Sequence, residues 1–142
     1  FVKVSGTYNH CLAITDDGLV YGIGSNYNGQ LGIPKKELKD ETKFALIRSL
    51  QNYRIVSCSA GFSHSLFISD DGKLFGCGLN SYGQLFLKSP SNKNYEIPEL
   101  TTVDSECTFA IAGDSLSCCF VGCTPPVFSP NHGSHYKEKE TN

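Results

Sequence analysis

The sequence has no methionine, no block of basic residues and no long apolar run. Because methionine is absent, Phe1 is not a translation start, and we expect an upstream part to have been lost through processing, truncation or a partial gene product. The formal net charge is −2, and the densest basic stretch, Lys35-Lys36, is followed directly by Glu37. The chain therefore lacks the positive patch that dominates nucleic-acid affinity, and we expect no direct nucleic-acid partner.

The marks of a membrane or secreted protein are also missing. No apolar run approaches the roughly 20 residues that span a bilayer, and residues 1–4 do not resemble a signal peptide. No Asn-x-Ser/Thr sequon is present, and most of the cysteines lie in apolar or β-branched runs rather than at the spacings of a disulfide scaffold. We expect no membrane partner and a reducing compartment, cytoplasmic or nuclear. The seven cysteines, an odd number, are Cys11, Cys58, Cys77, Cys107, Cys118, Cys119 and Cys123.

The main feature that is present is an internal repeat, which decides the architecture of an unknown chain. Residues 10–18, His-Cys-Leu-Ala-Ile-Thr-Asp-Asp-Gly, recur as residues 64–72, His-Ser-Leu-Phe-Ile-Ser-Asp-Asp-Gly, at an offset of 54. The match continues without a gap through Gly-x-Gly-x-Asn at residues 22–26 and 76–80. It ends in Gly-Gln-Leu at residues 29–31 and 83–85.

Each repeat unit is typical of a β-hairpin. A short β-rich run stops at Asp-Asp-Gly, where glycine can adopt a positive φ and aspartate tolerates a tight turn, and apolar residues then resume. The Gly-x-Gly segment places two positions without side chains on one face of a strand, where another backbone must approach closely. Small sheets packed around a central axis, as the blades of a β-propeller are, would bring another backbone this close. The motif residues predicted to be structural here are His10, His64, Asp17, Gly18, Asp71, Gly72, Gly24 and Gly78.

The loops after the hairpins carry amide side chains that can bond exposed backbone groups. Gln30 and Gln84, with Asn26 and Asn80, are predicted to brace these loops. A unit of this length holds roughly four short strands, and so small a sheet cannot bury both faces by itself. The units must therefore stack on one another.

Residues 59–85 read Ser-Ala-Gly-x-x-His-Ser-Leu-x-Ile-x-x-Asp-Gly-x-Leu-Phe-x-Cys-Gly-x-Asn-x-x-Gly-Gln-Leu, and residues 4–32 are similar. This motif resembles the repeat of the regulator of chromosome condensation family. The resemblance implies an all-β fold, an incomplete β-propeller of two to three blades built from four-stranded antiparallel sheets. A complete member closes a ring of about seven blades. We divide the chain into a first repeat at 1–54, a second at 55–100, a degenerate third at 101–124 and a disordered tail at 125–142.

The third unit departs furthest from the motif. In our alignment Cys107 stands where the motif histidine would be, Ser115 replaces the turn glycine, and no Asn-x-x-Gly-Gln-Leu follows. Between the two hairpins, residues 44–47 read as a further strand, and residues 95–98 read as a strand ended by Pro98. An incomplete propeller, an open row of antiparallel hairpins, leaves unpaired strand edges. Self-association through these blade edges is therefore a further expectation.

The sequence offers little for catalysis or metal binding. A histidine that recurs once per unit is better explained by architecture, and a triad of His64, Ser65 and Asp71 has no nucleophile elbow. Cys119 and Cys123 with His132 and His135 form a loose zinc-like spacing that a strand running into a polar tail explains better. We expect a protein that is not an enzyme, with no cofactor and no metal.

Aromatic and polar loop residues are the candidate binding groups, because a propeller exposes its loops at its faces and aromatic side chains anchor interfaces. The resemblance implies two functions: a non-catalytic adaptor or regulatory module, or part of a guanine-nucleotide exchange factor for the small GTPase Ran. Exchange-competent members present acidic or histidine side chains from the Gly-x-x-His loops, and the acids are absent from the two equivalent loops of this chain. The expected partner is another protein, a small GTPase being one candidate, and the candidate residues are Tyr8, Asn9, Phe62, Ser63, Tyr27 and Tyr82.

Overall fold

The computed structural model describes residues 1–122, and within them the chain is all-β. Three antiparallel sheets follow one another along the chain, two of four strands and one of two. This arrangement confirms the predicted class, an incomplete propeller of two to three blades with four-stranded antiparallel sheets. The predicted tail at 125–142 lies outside the described residues. No helix in the described part of the chain is long and apolar enough to cross a bilayer.

The first sheet contains β1 (Lys3–Gly6), β2 (His10–Ile14), β3 (Val20–Gly24) and β4 (Ala45–Leu46), in that order. The β2–β3 turn contains Asp-Asp-Gly, with Gly18 at φ 86°, as a tight turn requires. Thr15 donates its hydroxyl proton to Asp17 and lowers the pKa of that carboxyl. The outermost strand, β4, falls inside the segment predicted at residues 44–47.

The second sheet repeats the first with β5 (Ile55–Ala60), β6 (His64–Ser69), β7 (Leu74–Asn80) and β8 (Ser91–Leu100). The prediction that Pro98 ends a strand is wrong, because β8 continues to Leu100. Proline is tolerated here because β8 is an edge strand and its pairing with β7 shifts register between Gly76 and Gly78. At such an irregularity no ladder hydrogen bond requires the missing N–H group.

The third sheet contains β9 (Cys107–Ala112) and β10 (Ser117–Val121). The predicted register of this unit is wrong. Ala112 pairs with Ser117 as Ala60 pairs with Ser65, and Gly113 bonds Leu116 as Gly61 bonds His64. Cys107 N–H bonds the Gly72 carbonyl as Ile55 N–H bonds the Gly18 carbonyl. The third unit is thus offset by 52 residues from the second, so Leu116, not Cys107, occupies the histidine position.

The hydrophobic core lies between the sheets rather than within any one of them. The β-strand alternation turns Leu12 and Ile14 of the first sheet towards Phe67 and Phe75 of the second, and all four are buried. The opposite face of the second sheet buries its apolar side chains against the third sheet. That second cluster comprises Leu66, Ile68, Leu74, Leu85, Cys107, Ala110 and Ala112.

The strand glycines have a different role from the one predicted. A Cβ atom on Gly24, where φ is 104°, would lie 2.5 Å from the Asn9 carbonyl oxygen of the same sheet. Gly78 meets the Ser63 carbonyl in the same way at φ 99°. The close approach therefore comes from the neighbouring hairpin within the unit, not from other blades at a central axis.

Candidate protein-binding face

One end of the sheets gathers three hairpin turns and two long loops. In an antiparallel sheet the β1–β2 turn lies beside the end of β3, and His10 indeed pairs with Gly24. The loop that follows β3 therefore leaves from the same end as that turn. His64 and Gly78 repeat this arrangement in the second sheet. All candidate binding residues lie in these segments.

Hydrogen bonds between successive hairpins align the three turns in a row. The Thr7 hydroxyl donates to the Gly61 carbonyl at 3.2 Å, and the Asn9 amide donates to the Phe62 carbonyl at 3.5 Å. Phe62 N–H in turn donates to the Gly113 carbonyl at 3.1 Å. The side chains of Thr7 and Asn9 and the backbone of Phe62 thus hold the turns together, and none of these bonds uses the aromatic side chains of Tyr8 and Phe62.

Four aromatic side chains project from this end of the stacked sheets. Their exposed fractions are 94% for Tyr8, 78% for Tyr27, 74% for Tyr82 and 49% for Phe62. Exposed aromatic rings are typical of protein interfaces, because they bury large areas with few rotatable bonds. We call the surface formed by Tyr8, Asn9, Tyr27, Phe62 and Tyr82 the loop face.

Ser63 does not belong to the loop face, although it was a candidate from the sequence. Its residue surface is 8% exposed, and its carbonyl accepts a hydrogen bond from Leu79 N–H. Ser63 therefore contributes a backbone bond that supports the turn, and its own side chain is buried. The exposed member of this dipeptide is Phe62.

Beneath the loop face, a histidine links each sheet to the next one. His10 Nε2 lies 2.8 Å from Ser65 Oγ, and Ser65 Oγ donates to the Gln30 carbonyl at 2.6 Å. Since the single hydroxyl proton of Ser65 is used on Gln30, His10 must donate from Nε2 to Ser65. His64 repeats the contact with Ser117 Oγ at 2.8 Å.

Both histidines are held neutral. Burial lowers the pKa of His10 to about 4, with a smaller contribution from His64. Burial also lowers the pKa of His64 to about 4, against a smaller opposing effect of Asp114. Within the described part of the chain, His64 Nδ1 has no hydrogen-bond partner, whereas His10 Nδ1 lies 3.4 Å from Thr7 Oγ1. The difference arises because Gly61 has no side chain at the position equivalent to Thr7.

Buried amides shape the long loops. Asn26 accepts from Leu31 N–H at 3.0 Å and donates to the Ile33 carbonyl at 2.6 Å. Gln30 accepts from Asn28 N–H at 2.9 Å. Asn80 and Gln84 make the equivalent bonds in the second sheet, to Leu85 N–H, the Ser89 carbonyl and Tyr82 N–H. The loops that carry Tyr27 and Tyr82 are thus fixed from inside.

The corrected register adds a residue that sequence reasoning missed. Asp114 follows Gly113 as Phe62 follows Gly61, so it lies in the third turn of the row, and it is exposed. The signal was present in Ala112-Gly113-x-x-Leu116-Ser117, which matches Ala-Gly-x-x-His-Ser at residues 60–65 except for the histidine. An acid therefore stands in the third turn, at the position that Tyr8 and Phe62 occupy in the first two, although neither of those two loops carries an acid.

The residues considered for chemistry do not come together. His64 bonds Ser117 rather than Ser65, and Asp71 lies at the far turn, where Lys73 and Ser69 lower the pKa of its carboxyl. Among residues 1–122, no three His, Cys, Asp or Glu side chains are grouped as a metal site. Cys123, His132 and His135 of the zinc-like spacing lie outside the described residues.

Stacked antiparallel blades with their hairpin turns aligned at one end define the class of protein: part of a β-propeller. The profile of the Regulator of chromosome condensation (RCC1) repeat matches residues 1–30 and 55–84, and a second profile of that description matches residues 17–68. The chain therefore belongs to the regulator of chromosome condensation repeat family.

Curated relatives share about a third or more of the aligned residues. The chain is 36% identical over 94 residues to the ultraviolet-B receptor UVR8 of Arabidopsis thaliana, and this alignment covers 66% of this chain and 20% of the receptor. It is 37% identical over 84 residues to the human probable E3 ubiquitin-protein ligase HERC3, covering 59% of this chain and 8% of the ligase. It is 39% identical over 84 residues to the human X-linked retinitis pigmentosa GTPase regulator, at 59% and 8% coverage. The chain thus spans a fifth or less of these relatives.

Solved structures show the same fold. Human WBSCR16 superposes with a TM-score of 0.75 at 24% identity, over 85% of this chain and 30% of that one. Prp20p from Saccharomyces cerevisiae superposes with a TM-score of 0.72 at 22% identity, over 82% and 30%. Prp20p itself is described as binding Gsp1p and histones.

Proposed function

We propose that the chain is a non-catalytic protein-binding module of the adaptor or regulatory kind, and that it binds its partner through the loop face. The observation that carries the proposal is the group of exposed aromatic side chains on turns and loops that internal hydrogen bonds hold in place. A surface fixed in advance loses little conformational entropy on binding, which favours affinity.

The chemistry beneath the loop face supports binding rather than catalysis. His10 and His64, which lie beneath the loop face, are buried and hydrogen-bonded to serines of the next sheet. A general base needs a pKa near the working pH and access to substrate, and these side chains have neither. Their role is to join the sheets.

Binding by the loop face is tested with single alanine variants and protein partners captured by the wild-type chain. Tyr8→Ala and Phe62→Ala should each weaken affinity for such a partner at least about tenfold in calorimetry, because interface aromatic residues dominate binding energy. Val56→Ala is the matched control, since Val56 is 36% exposed at the far end of β5. Equal losses in all three variants, or unchanged affinity in Tyr8→Ala and Phe62→Ala, would contradict the proposal.

A second candidate function is a part of a guanine-nucleotide exchange factor for a Ran-type GTPase. The observation in its favour is Asp114, an exposed acid in the third turn of the row. The similarity to Prp20p, a protein described as binding Gsp1p, supports the same candidate.

The two candidates are separated by measuring GDP release from a Ran-type GTPase. If the chain belongs to an exchange surface, it should accelerate release, and Asp114→Asn should remove most of the effect. As an adaptor, the chain should leave the release rate unchanged even where it binds the GTPase. The Asp104→Asn variant, which lies at the opposite end of the sheets, controls for the loss of a negative charge.

We also propose self-association through open strand edges and a cytoplasmic or nuclear location. Within residues 1–122, β10 pairs only with β9, whereas the equivalent strands β2 and β6 are each flanked on both sides. Such an edge can pair with another strand. The six cysteines of the described part of the chain are free thiols, which suits a reducing compartment.

A further inference from the structure

A groove lies where the outer edges of the first and second sheets meet. It contains a cavity of about 360 Å³ between the loop after β3, the strand β4, a short 3-10 helix (Arg48–Leu50) and Ile97 of β8. A second cavity, of about 350 Å³, continues along β4 and shares four lining residues with the first: Ile33, Glu37, Leu46 and Arg48. We call the two cavities together the edge groove.

Hydrogen bonds within the chain hold both walls of the edge groove. On one side, Glu37 N–H donates to the Pro34 carbonyl at 2.8 Å and closes a turn. On the other side, Ile47 N–H donates to the Val20 carbonyl at 2.9 Å, and the side chain of Ile47 is fully buried. Because the groove is formed before any partner arrives, little ordering of the chain opposes binding.

The cavity between the two sheets has apolar sides. Ile33 is buried, Leu46 is half-buried, and Ile97 is 45% exposed where β8 borders the cavity. A space of this size with aliphatic lining accepts an aliphatic side chain of a partner.

The strand β4 also presents an open backbone position to the groove. The Ile47 N–H points towards β3, where it bonds the Val20 carbonyl. Backbone groups alternate in direction along an antiparallel strand, so the N–H and C=O of Leu46 point away from β3. An extended segment can bond these two groups as an added strand.

The segment that forms most of the groove is the basic part of an acidic chain. Of the 12 basic and 14 acidic side chains, five basic and three acidic ones lie in residues 33–49. Three of these five cations line the groove: Lys39, Lys43 and Arg48. Within residues 1–122, neither Lys39 nor Arg48 forms an ion pair.

The acids at the groove only partly offset these cations. They are Glu37 and Asp40. The Asp40 carboxylate is already used inside the loop, where it accepts from Thr42 N–H at 2.9 Å and lies 3.4 Å from Lys43 Nζ. The groove therefore retains positive charge and attracts a carboxylate.

We propose that the edge groove binds an extended segment of another protein that carries an aliphatic side chain beside a carboxylate. The backbone of the segment pairs with Leu46, its aliphatic side chain lies between Ile33 and Ile97, and its carboxylate contacts Arg48. The groove is separate from the loop face and provides a second binding site, so the proposal does not depend on the loop face.

Fluorescence anisotropy with the full chain and synthetic peptides tests the chemistry of the occupant. The probe is a fluorescein-labelled peptide of alternating leucine and glutamate, about eight residues long, which is a typical strand length. It should bind saturably at up to about 100 μM. Peptides with lysine in place of glutamate, or serine in place of leucine, should bind at least about tenfold more weakly. Absence of binding by the probe, or equal binding by either control peptide, would overturn the proposal.

Variants of exposed residues locate the binding site. Arg48→Glu should weaken probe binding about tenfold, because it places like charges together, and Ile97→Ala should weaken it about fivefold. Lys88→Glu is the charge-matched control, since Lys88 is exposed on the loop between β7 and β8 and lines neither cavity. Equal losses in Arg48→Glu and Lys88→Glu would assign binding to the overall charge of the chain, and a loss in Tyr8→Ala would assign it to the loop face; either result contradicts the proposal. Circular dichroism verifies the fold of each variant.

The added strand is tested by methylating the backbone nitrogens of the probe, either at its leucines or at its glutamates. Alternate N–H groups of a strand face the same side, so one of the two peptides should lose binding and the other should keep it. Equal effects of the two methylations would rule out the pairing with Leu46.

Two further measurements distinguish other occupants. Heparin is a polyanion without aliphatic side chains, and it should not displace the probe. Displacement by heparin would show that the groove binds polyanions in general. Sedimentation velocity of the chain alone examines a second copy as the occupant, and self-assembly that Arg48→Glu abolishes would replace the proposed partner by that copy.

Discussion

His10 and His64 connect neighbouring sheets at the scale of single residues, and their burial makes the fold sensitive to pH. Each folded-state pKa is about 4, below the ordinary value of 6.5. Between these values the unfolded chain takes up protons that the folded chain does not, so stability falls as the pH falls from 6.5 towards 4. The lowered pKa of Asp17 and of Asp71 adds a further loss only at lower pH.

Urea unfolding at pH 7 and pH 4.5 measures this dependence, with an expected loss on the order of 2–3 kcal/mol for each histidine. His64→Leu removes one titrating group and copies the residue at the equivalent position of the third sheet. This variant should retain about half of the pH dependence. An unchanged dependence would show that the histidines do not cause it.

Gly24 provides a second test at residue scale. Gly24→Ala should lower the free energy of unfolding by about 3 kcal/mol, because φ is 104° and the Asn9 carbonyl oxygen occupies the space needed by a Cβ atom. Gly6→Ala is the control, since the nearest atom to its Cβ would be Cys11 Sγ at 3.5 Å. Thermal unfolding of both variants measures the contrast, and similar changes in the two would contradict it.

The long loops are the elements that position Tyr27 and Tyr82, and each depends on one asparagine. Asn80→Ala would leave Leu85 N–H and the Ser89 carbonyl without their partner, at a cost of about 3 kcal/mol. Hydrogen exchange should show faster exchange of the Leu85 amide, while the amides of β6 stay protected. Asn52→Ala, at an exposed turn, should change stability by less than about 0.5 kcal/mol.

For the molecule as a whole, the hydrophobic core lies between the sheets, so neighbouring sheets stabilise each other. Phe67 of the second sheet is fully buried in the cluster that includes Leu12 and Ile14 of the first sheet. Phe67→Ala should therefore lower the unfolding free energy by about 4 kcal/mol and reduce exchange protection in both sheets together. Phe62→Ala on the loop face should leave both unchanged. Loss of protection in the second sheet alone would show that the sheets fold independently.

The repeat pattern was sufficient to predict the first two hairpins, because the Asp-Asp-Gly turns, the strand glycines and the loop amides act within one unit. The third unit was predicted in the wrong register. Its alignment depends on Ala112-Gly113-x-x-Leu116-Ser117, where leucine replaces the histidine that marks the motif. The distance along the sequence between equivalent residues also shortens, from 54 between the first two units to 52 between the second and third. A comparison at a fixed offset of 54 therefore misaligns the third unit.

By itself, the sequence determined the all-β class, the unit length, the family and the turns, since local backbone requirements and a duplicated motif encode these. Only the tertiary structure decided that Asp114 joins the row of turns, that Ser63 is enclosed and that His10 bonds Ser65. Those facts depend on how one sheet rests on the next, and contacts between distant residues leave no regular spacing in a chain.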